Sequence, residues 1–280
     1  PGALRRSAAG RGDATMNASL LQSIIAWARR AGGILRSGYG QQHQVDYKSE
    51  IDLVTEMDRR SEDFILSQVR ASFPGDFITS EESGEQGGRS GRCWYIDPLD
   101  GTVNYAHGIP IFAVSIACGD RDAAEIGVIY DPMRDECFSA VRGSGAWLNG
   151  EPIHVAGASE LNHALLVTGF PYDIRRRAQN NLNHYEYFSL HSQGVRRLGS
   201  AALDLAYVAC GRFDGFWELD LKPWDLAAGA LIAAEAGAVV TPVFDSQASL
   251  LTPPCSVIAA NPAIHAQMAA RLRSGDLRPT

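Results

Sequence analysis

The feature that most constrains this chain is the hexapeptide Asp97-Pro98-Leu99-Asp100-Gly101-Thr102, which directly follows the apolar run Trp94-Tyr95-Ile96. The apolar run predicts a buried strand, so the aspartates should emerge where that strand ends. Pro98 fixes the backbone there, and both carboxylates and the Leu99 carbonyl can face one point. Carboxylates that share a small site repel one another and are costly to bury ionised without positive charge between them. The hexapeptide therefore predicts a cation site with oxygen ligands, which suits Mg²⁺, Mn²⁺ or Ca²⁺.

Two acids far from the hexapeptide in sequence are candidates for the same site. Glu81 ends a strand-like segment before Asp97, and Asp225 follows Pro223-Trp224 at a predicted helix start. Taken singly, each pattern has a structural explanation. An Asp-Pro-x-Asp string makes a type I turn, Glu81 could be a surface acid, and Asp225 could cap its helix. Together they favour a metal site. Glu82 competes with Glu81, because neighbouring side chains on extended backbone point to opposite sides.

The end of the hexapeptide adds a contact for phosphate. Gly101 and Thr102 should open a turn or helix whose backbone N–H groups point outward, which makes an anion site. The Thr102 hydroxyl can accept or pass a proton, and Asp58 could hydrogen-bond to it. On the residues alone, Asp58 has a simpler explanation as an acid in the first turn of a helix. The combined pattern predicts a metal-dependent site that handles a phosphate group.

The composition argues against several other classes of protein. A formal net charge of −7 at pH 7 argues against nonspecific nucleic-acid binding, and no uninterrupted run of about 18 apolar residues could span a membrane. The histidines lack metal-ligand spacing, and no GxSxG, Walker or dinucleotide motif occurs. Five cysteines without a CxxC pair indicate a reducing compartment, and with no secretory signal they predict a cytoplasmic protein.

The pattern along the chain predicts alternating helices and strands. Residues 1–15 are rich in Gly, Ala and Arg and are expected to be a disordered leader or upstream read-through before a native start at Met16. Asn17 or Ser19 should cap the first helix. Helical spacing covers 17–39, 56–73, 175–192, 201–209, 223–236 and 262–273. Strand-like runs cover 77–79, 93–96, 112–118, 126–130, 137–141, 165–168, 213–219, 239–243 and 256–259, with a hairpin turn at 148–151.

The second half of the chain differs in character from the first. We therefore interpret 16–150 as an N-terminal α+β layer that carries most metal ligands. Residues 151–280 form a C-terminal α/β layer with the last ligand and the residues that select the substrate. No low-complexity linker separates them, so the two layers should pack against each other.

Taken together, these motifs resemble the inositol monophosphatase superfamily of Mg²⁺-dependent, lithium-sensitive phosphomonoesterases. The resemblance runs from about residue 20 to 270 and is carried by motifs at 52–58, 81–83, 94–104, 199–201 and 224–237. It implies an α/β fold with alternating α-β-α-β-α layers, of the inositol monophosphatase and fructose-1,6-bisphosphatase type, usually assembled as a homodimer. Glu81 is preferred over Glu82 mainly on this ground.

The resemblance also implies a set of metal ligands. Glu81, Asp97 and the Leu99 carbonyl would hold one Mg²⁺, and Asp97, Asp100 and Asp225 would hold a second. A third ion would also contact Glu81, with Lys48 near it, so that two or three ions bind per site. Water oriented by Glu81 and Thr102 would attack phosphorus in line, with no phosphoenzyme.

The substrate implied is a small phosphate monoester, myo-inositol monophosphate first. The backbone amides of Gly101 and Thr102, beside Asp100, would hold the phosphate. Glu218 matches a position where family members use an acid to bind inositol hydroxyls, and Ala201 would border the same ring.

Three alternatives stay open at this point. Histidinol phosphate or a broader range of sugar phosphates could be the substrate. The string at 100–105 is similar to the inositol branch, whereas the bisphosphate nucleotidase branch typically has Lys-Glu after the threonine. In a different class, some bacterial members join RNA-bound transcription complexes, so a binding role is the third alternative.

Overall fold

The described part of the chain alternates helix and sheet in five layers. A computed structural model describes residues 9–41, 45–47, 53–244 and 249–274. Its α-helices are α1 (Ala9–Gly38), α2 (Glu56–Ser72), α3 (Thr102–Ala106), α4 (Leu182–His191), α5 (Ala201–Ala209), α6 (Pro223–Glu235) and α7 (Pro262–Arg273). A short hairpin pairs β1 (Val45–Tyr47) with β2 (Leu53–Thr55).

Two sheets contain the other strands. The larger has the order β10-β9-β8-β7-β6-β5-β3-β4 and is antiparallel except where β3 runs parallel to β5. The smaller has the order β12-β11-β13-β15-β14, with β11 parallel to both of its neighbours. The larger sheet contains β3 (Phe77–Ser80), β4 (Gly84–Gln86), β5 (Cys93–Asp100), β6 (Ala113–Gly119), β7 (Ala124–Asp131), β8 (Glu136–Val141), β9 (Ala146–Leu148) and β10 (Glu151–Pro152). The smaller contains β11 (Leu165–Thr168), β12 (Gly194–Arg196), β13 (Gly215–Leu221), β14 (Val239–Pro242) and β15 (Cys255–Ala260).

Alternating side chains on the strands divide the interior into separate apolar cores. On β5, Trp94 and Ile96 pack with α1 and α2, whereas Tyr95 packs on the opposite face with α5 and α6. On β13, Phe216 faces α5 and α6, and Trp217 faces α4 and α7. Successive strand residues point to opposite faces, so each sheet is covered on both sides by helices. The α-β-α-β-α order predicted from the sequence is confirmed.

The middle helix layer lies between the two sheets and is built from small and apolar residues. Every residue of α5 is buried, as expected of a helix with sheets on both sides. A Cβ at Gly127 on β7 would lie 3.0 Å from the Ala228 Cα on α6, and one at Gly229 would lie 2.6 Å from the Leu205 Cδ1 on α5. The absence of these side chains lets α6 pack closely against both its sheet and its neighbouring helix.

Most predicted elements are present, several with the predicted bounds. The strand at 165–168 and the helices at 201–209 and 262–273 match residue for residue, and β9 and β10 flank the predicted hairpin turn. The three-residue strands β1, β2, β4 and β12 were not predicted, since three residues carry little periodicity. The larger sheet ends at Pro152, close to the predicted boundary at residue 150. The division into two layers there stays an interpretation, because α5 and α6 contact both sheets.

Two helix starts differ from the prediction. Helix α1 begins at Ala9, so residues 9–15 are helical and neither Asn17 nor Ser19 caps it; residues 1–8 lie outside the described part. Extending a helix that has already formed adds one hydrogen bond per residue without a new nucleation cost, which favours continuing α1 through this segment. Helix α4 begins at Leu182 and not near residue 175. Its start is set by Asn181, which has φ of 72° and donates hydrogen bonds to the Thr168 hydroxyl (3.0 Å) and the Gly169 carbonyl (2.7 Å).

Candidate active site

A cavity of about 230 Å³ lies where the ends of β5 and β13 meet the first turns of α5 and α6. Its wall contains nine of the residues singled out in the sequence, which come from five separate segments. They are Glu81, Asp97, Leu99, Asp100, Gly101, Thr102, Ala201, Glu218 and Asp225. The fold thus brings together the acids that are far apart in sequence. Lys48 lies outside the described residues, so its predicted place near a third ion stays a prediction.

The hexapeptide forms an irregularity in β5 that places both of its aspartates at the cavity. Asp97 pairs with Ser115 on β6, and Asp100 pairs with Ala113, with a shift of register between the two pairs. The Leu99 N–H donates to the Asp97 Oδ1 (3.0 Å), but residues 97–100 belong to β5 and do not form the type I turn of the structural explanation. The bulge re-aims the side chains of a buried strand toward the cavity.

Helix α2 holds the far side of this bulge. The Ser61 hydroxyl donates to the Pro98 carbonyl (2.9 Å), and the Asp58 Oδ1 lies 3.0 Å from the Thr102 Oγ1. The predicted contact between Asp58 and Thr102 is therefore present. Asp58 also accepts the Thr55 N–H (2.9 Å) in a capping box, so it is a first-turn helix acid as well. Burial raises the pKa of Asp58, and the hydrogen bonds from Thr55 and Thr102 oppose that rise.

Gly101 adopts a conformation that favours glycine. Its φ is 96°, and a Cβ there would lie 2.9 Å from the Ile111 carbonyl oxygen. Helix α3 then begins at Thr102, as the sequence predicted for a turn or helix at this point. A substitution at Gly101 would strain the backbone and displace the chain between the two aspartates and Thr102.

Two helix starts hold the acids on the opposite side of the cavity. The Asp100 Oδ2 accepts from the Ser200 hydroxyl (2.6 Å) and the Ala202 N–H (2.7 Å) at the start of α5. Asp225 accepts the Lys222 N–H with Oδ2 (2.8 Å) at the start of α6. The N-cap residue is Lys222, and Asp225 is the first-turn acid that binds the N-cap N–H; Asp225 also lines the cavity.

Burial and mutual repulsion dominate the electrostatics of these acids. Burial raises the pKa of Asp97 well above its usual range, and the charges of Glu81, Asp100 and Asp225 raise it further. Burial likewise raises the pKa of Asp225, with Asp100 adding to the rise, and raises that of Asp100 to about 6. A cation among these oxygens would remove the repulsion that keeps their pKa values high.

The carboxylate and carbonyl oxygens at this cavity are donors that suit a hard divalent cation, although they do not converge on one point. Within the described ranges, no group of three or more His, Cys, Asp or Glu side chains has the geometry of a metal site. Asp97, Asp100 and Asp225 each have one carboxylate oxygen bound to a protein N–H group, which leaves the other oxygen for a ligand. Like-charged carboxylates without a cation have no reason to converge on one point.

The part of the cavity farther along β13 contains two more buried acids. Burial and the charge of Asp100 raise the pKa of Glu218 to about 8, against the influence of Arg197. The Glu218 carboxyl lies against Gly169, where a Cβ would come within 2.1 Å of its Oε1. Asp204, which lines the same cavity, was missed in the sequence. Its Oδ1 is buried and has no hydrogen-bond partner among the described residues. The sequence signal that could have identified Asp204 is that it is a single acid within the apolar helix predicted at 201–209.

Glu218 should make the stability of the metal-free protein depend on pH. Its pKa rises from 4.5 to about 8 on folding, so the folded state retains a proton that the unfolded chain loses. This contribution to stability is fully present below the unfolded pKa of 4.5 and is lost as pH rises through about 8. The difference in Tm between Glu218→Gln and wild type, both in EDTA, should therefore be more positive at about pH 8.5 than at about pH 5. An unchanged Tm difference between the two pH values would contradict this assignment.

The comparisons with known proteins agree with the fold. The sequence profile of the inositol monophosphatase family matches residues 16–276. Its α-β-α-β-α layers and acidic cavity place this chain in the class of phosphatases with a layered α/β fold. The chain belongs to the inositol monophosphatase family. In the described part of the chain, no helix is long and apolar enough to cross a membrane.

Proteins similar to this chain have two kinds of name. The inositol-1-monophosphatase of Synechocystis sp. is 43% identical over 244 residues, which cover 86% of this chain and 84% of that protein. The Nus factor SuhB of Escherichia coli (strain K12) is 41% identical over 257 residues, covering 91% of this chain and 96% of that protein. Among solved structures, the inositol monophosphatase from Anabaena (Nostoc) sp. has a TM-score of 0.81 at 42% identity, covering 91% of this chain and 94% of the other.

Proposed function

We propose that this protein is a Mg²⁺-dependent phosphomonoesterase that hydrolyses myo-inositol monophosphate to inositol and phosphate. The observation that carries the proposal is that Glu81, Asp97, Asp100 and Asp225 all line one cavity, next to Thr102. These acids come from three separate segments of the chain, and their buried like charges leave a need for cations. Family membership supports phosphatase chemistry at this site.

Two overlapping sets of ligands would hold the metal. Glu81, Asp97 and the Leu99 carbonyl form one set, and Asp97, Asp100 and Asp225 form the other; a third ion would also contact Glu81. Bound Mg²⁺ supplies positive charge that stabilises both the attacking and the leaving oxygens of an in-line displacement. Oxygen-only ligands suit Mg²⁺.

The protein's own groups position water and phosphate. Glu81 and the Thr102 hydroxyl orient the attacking water, and the N–H groups of Gly101 and Thr102 bind phosphate oxygens. The Thr102 Oγ1 lies 3.0 Å from both the Asp58 Oδ1 and the Leu99 carbonyl oxygen. A single hydroxyl proton can satisfy only one of these acceptors at a time, so Asp58 can set which way the hydroxyl points.

The alcohol part of the substrate would lie against Glu218 and Ala201. Both line the cavity beyond Asp100. With cations nearby to lower its pKa, the Glu218 carboxylate would accept hydrogen bonds from sugar or inositol hydroxyls and disfavour a second phosphate group at the same place. Histidinol phosphate is the alternative substrate, since a carboxyl would also accept its cationic groups.

The deciding experiment measures phosphate release with Mg²⁺ from four substrates. These are inositol 1-phosphate, histidinol phosphate, fructose 1,6-bisphosphate and adenosine 3′,5′-bisphosphate. The expected result is the highest kcat/KM for inositol 1-phosphate, with activity abolished by EDTA and restored by Mg²⁺. A higher value for another substrate would keep the chemistry and replace the substrate. No release from any substrate would overturn the proposal.

The role of Glu218 predicts a change in specificity. Glu218→Ala removes a carboxyl that contacts the alcohol and leaves the proposed metal ligands in place. We expect kcat/KM for inositol 1-phosphate to fall about 10- to 100-fold, as when a hydrogen-bonding group in a binding site is lost. Hydrolysis of a small generic ester such as p-nitrophenyl phosphate should change much less. An equal loss on both substrates would mean that Glu218 has a structural role.

A second candidate function is a binding role in a transcription complex. It is favoured by the similarity to the Nus factor SuhB of Escherichia coli (strain K12), which aligns over 91% of this chain. The test is affinity capture with purified RNA polymerase and its elongation factors, using the Asp100→Asn protein as a catalytically impaired control. Enrichment with both proteins would establish binding independent of catalysis, and no enrichment would remove this candidate.

Homodimer formation and a cytoplasmic location complete the proposal. All five cysteines are free, which fits a reducing compartment. The homodimer is proposed from the family resemblance, and sedimentation of the purified protein would test it.

A further inference from the structure

Helix α2 presents a buried polar face to the loops of the cavity. Asp58, Ser61 and Glu62 are all buried, and their spacing of three and four residues places them on one side of the helix. Asp58 contacts Thr102 and Ser61 contacts Pro98, as described above. Glu62 is the third member of this face, and neither the sequence motifs nor the proposed function assigns it a role.

Glu62 binds the turn that carries Glu81. Its Oε1 accepts the N–H groups of Glu82 (3.0 Å) and Ser83 (3.2 Å), and its Oε2 accepts the Ser83 hydroxyl (2.5 Å). The side chain is almost fully buried, with 3% exposure. Three hydrogen bonds to one buried carboxyl group fix the position of the turn more firmly than neutral contacts would.

The turn needs such an acceptor because strand pairing ends at Glu81. The Glu81 N–H donates to the Ile96 carbonyl of β5 (3.2 Å), one residue beyond the pairing of Ser80 with Ile96. On the other side, β3 pairs with β4, and the pair nearest the turn is Ser80 opposite Gly84. The next two N–H groups are therefore held by Glu62, so Glu81 lies between a backbone bond on one side and the Glu62 contacts on the other.

We infer that Glu62 is a positioning residue for the metal site. By binding the turn at 81–83, Glu62 holds the Glu81 carboxylate level with Asp97. The inference rests on the proposed function, since it requires that Glu81 binds Mg²⁺. Partners that orient metal ligands commonly change metal affinity or activity by about 10- to 100-fold when they are removed. The alternative is that Glu62 only stabilises a hairpin turn.

Glu62→Ala, Glu62→Gln and a matched control distinguish these two roles. Glu62→Gln keeps an oxygen that can accept the two N–H groups but loses the charge, so its effect should be smaller than that of Glu62→Ala. Asp63→Asn makes the same charge change at the next position of α2, where the side chain is exposed. Mg²⁺ binding is measured by calorimetry without substrate, and Tm is measured in EDTA. The Mg²⁺ concentration for half-maximal phosphate release is measured separately.

The expected result is Mg²⁺ affinity weaker by about 10- to 100-fold in Glu62→Ala, a smaller loss in Glu62→Gln and none in Asp63→Asn. The Mg²⁺ concentration for half-maximal activity should rise in the same order. If Glu62→Ala does not fold, a loss of affinity in Glu62→Gln that exceeds that of Asp63→Asn still supports the inference. Wild-type affinity in the folded Glu62 variants, even with lower Tm, would overturn it. Absence of Mg²⁺ binding by the wild-type protein would instead overturn the proposed function.

Discussion

Asp100→Asn should lower kcat for phosphate release by about a thousandfold or more while the protein remains folded. Asp100 would ligate the second metal, and several kcal/mol of charge stabilisation depend on that ligand. Asn keeps an oxygen that can accept from the Ser200 hydroxyl and the Ala202 N–H, so the start of α5 should stay in place. Because burial raises the pKa of Asp100 to about 6, a neutral amide avoids the cost of burying charge at neutral pH.

The measurements for this variant are kcat, Tm in EDTA and the increase in Tm on adding Mg²⁺. We expect Tm in EDTA to equal or exceed the wild-type value and the Mg²⁺-induced increase to shrink. Asp122→Asn, at an exposed position away from the cavity, is the charge control and should behave like wild type. Activity of Asp100→Asn within tenfold of wild type would contradict the assignment of Asp100 as a ligand.

Thr102→Val should lower kcat by about 100-fold or more and leave Mg²⁺ binding nearly unchanged. The substitution keeps the shape of the side chain but removes the hydroxyl that contacts Asp58 and the Leu99 carbonyl. Positioned proton-transfer groups typically contribute a factor of about 10²–10⁴ in rate. The buried Asp58 Oδ1 also loses a donor, so a loss of about 1–3 kcal/mol in the free energy of unfolding should accompany the change.

Thr102→Ser is the matched control, since it restores the hydroxyl. Its kcat should lie much closer to wild type than that of Thr102→Val, with Mg²⁺ affinity measured by calorimetry similar in all three proteins. If Thr102→Val and Thr102→Ser were equally active, the hydroxyl would have no part in the reaction. If Thr102→Val lost Mg²⁺ binding, the role of Thr102 would be to hold the Leu99 carbonyl.

Much of the site could be predicted because its residues lie next to strong local signals. The hexapeptide at 97–102 follows an apolar strand, and Asp225 follows a proline at a helix start; both signals depend on neighbouring residues alone. The interaction between Asp58 and Thr102, which joins residues 44 apart, was correctly expected as a hydrogen bond. The sequence could suggest this contact but could not decide it against a simple helix cap, and the structure contains both.

The residues that were missed depend on tertiary contacts. Glu62 looks like an ordinary acid on a helix, and only the packing of α2 against the turn at 81–83 gives it three donors. Asp204 interrupts an apolar helix, but its place beside Glu218 depends on how α5 crosses β13. The start of α4 was misplaced because the conformation of Asn181 is set by bonds to Thr168, Gly169 and Trp217. None of these partners can be read from nearby sequence.

The close packing of the middle helix layer also determines where Asp225 lies relative to the other acids of the cavity. Asp225 lies at the start of α6 and the partners of Asp100 lie at the start of α5, whereas Asp97 and Asp100 are on β5 and Glu81 follows β3 in the larger sheet. The distance between Asp225 and the acids of the larger sheet therefore depends on how closely α6 packs against β7 at Gly127 and against α5 at Gly229. An added methyl group at Gly127 would push α6 away from the sheet, and Asp225 would move with it, although the methyl group contacts none of these acids. A glycine deep in the apolar interior thus controls the geometry of the cavity from a distance.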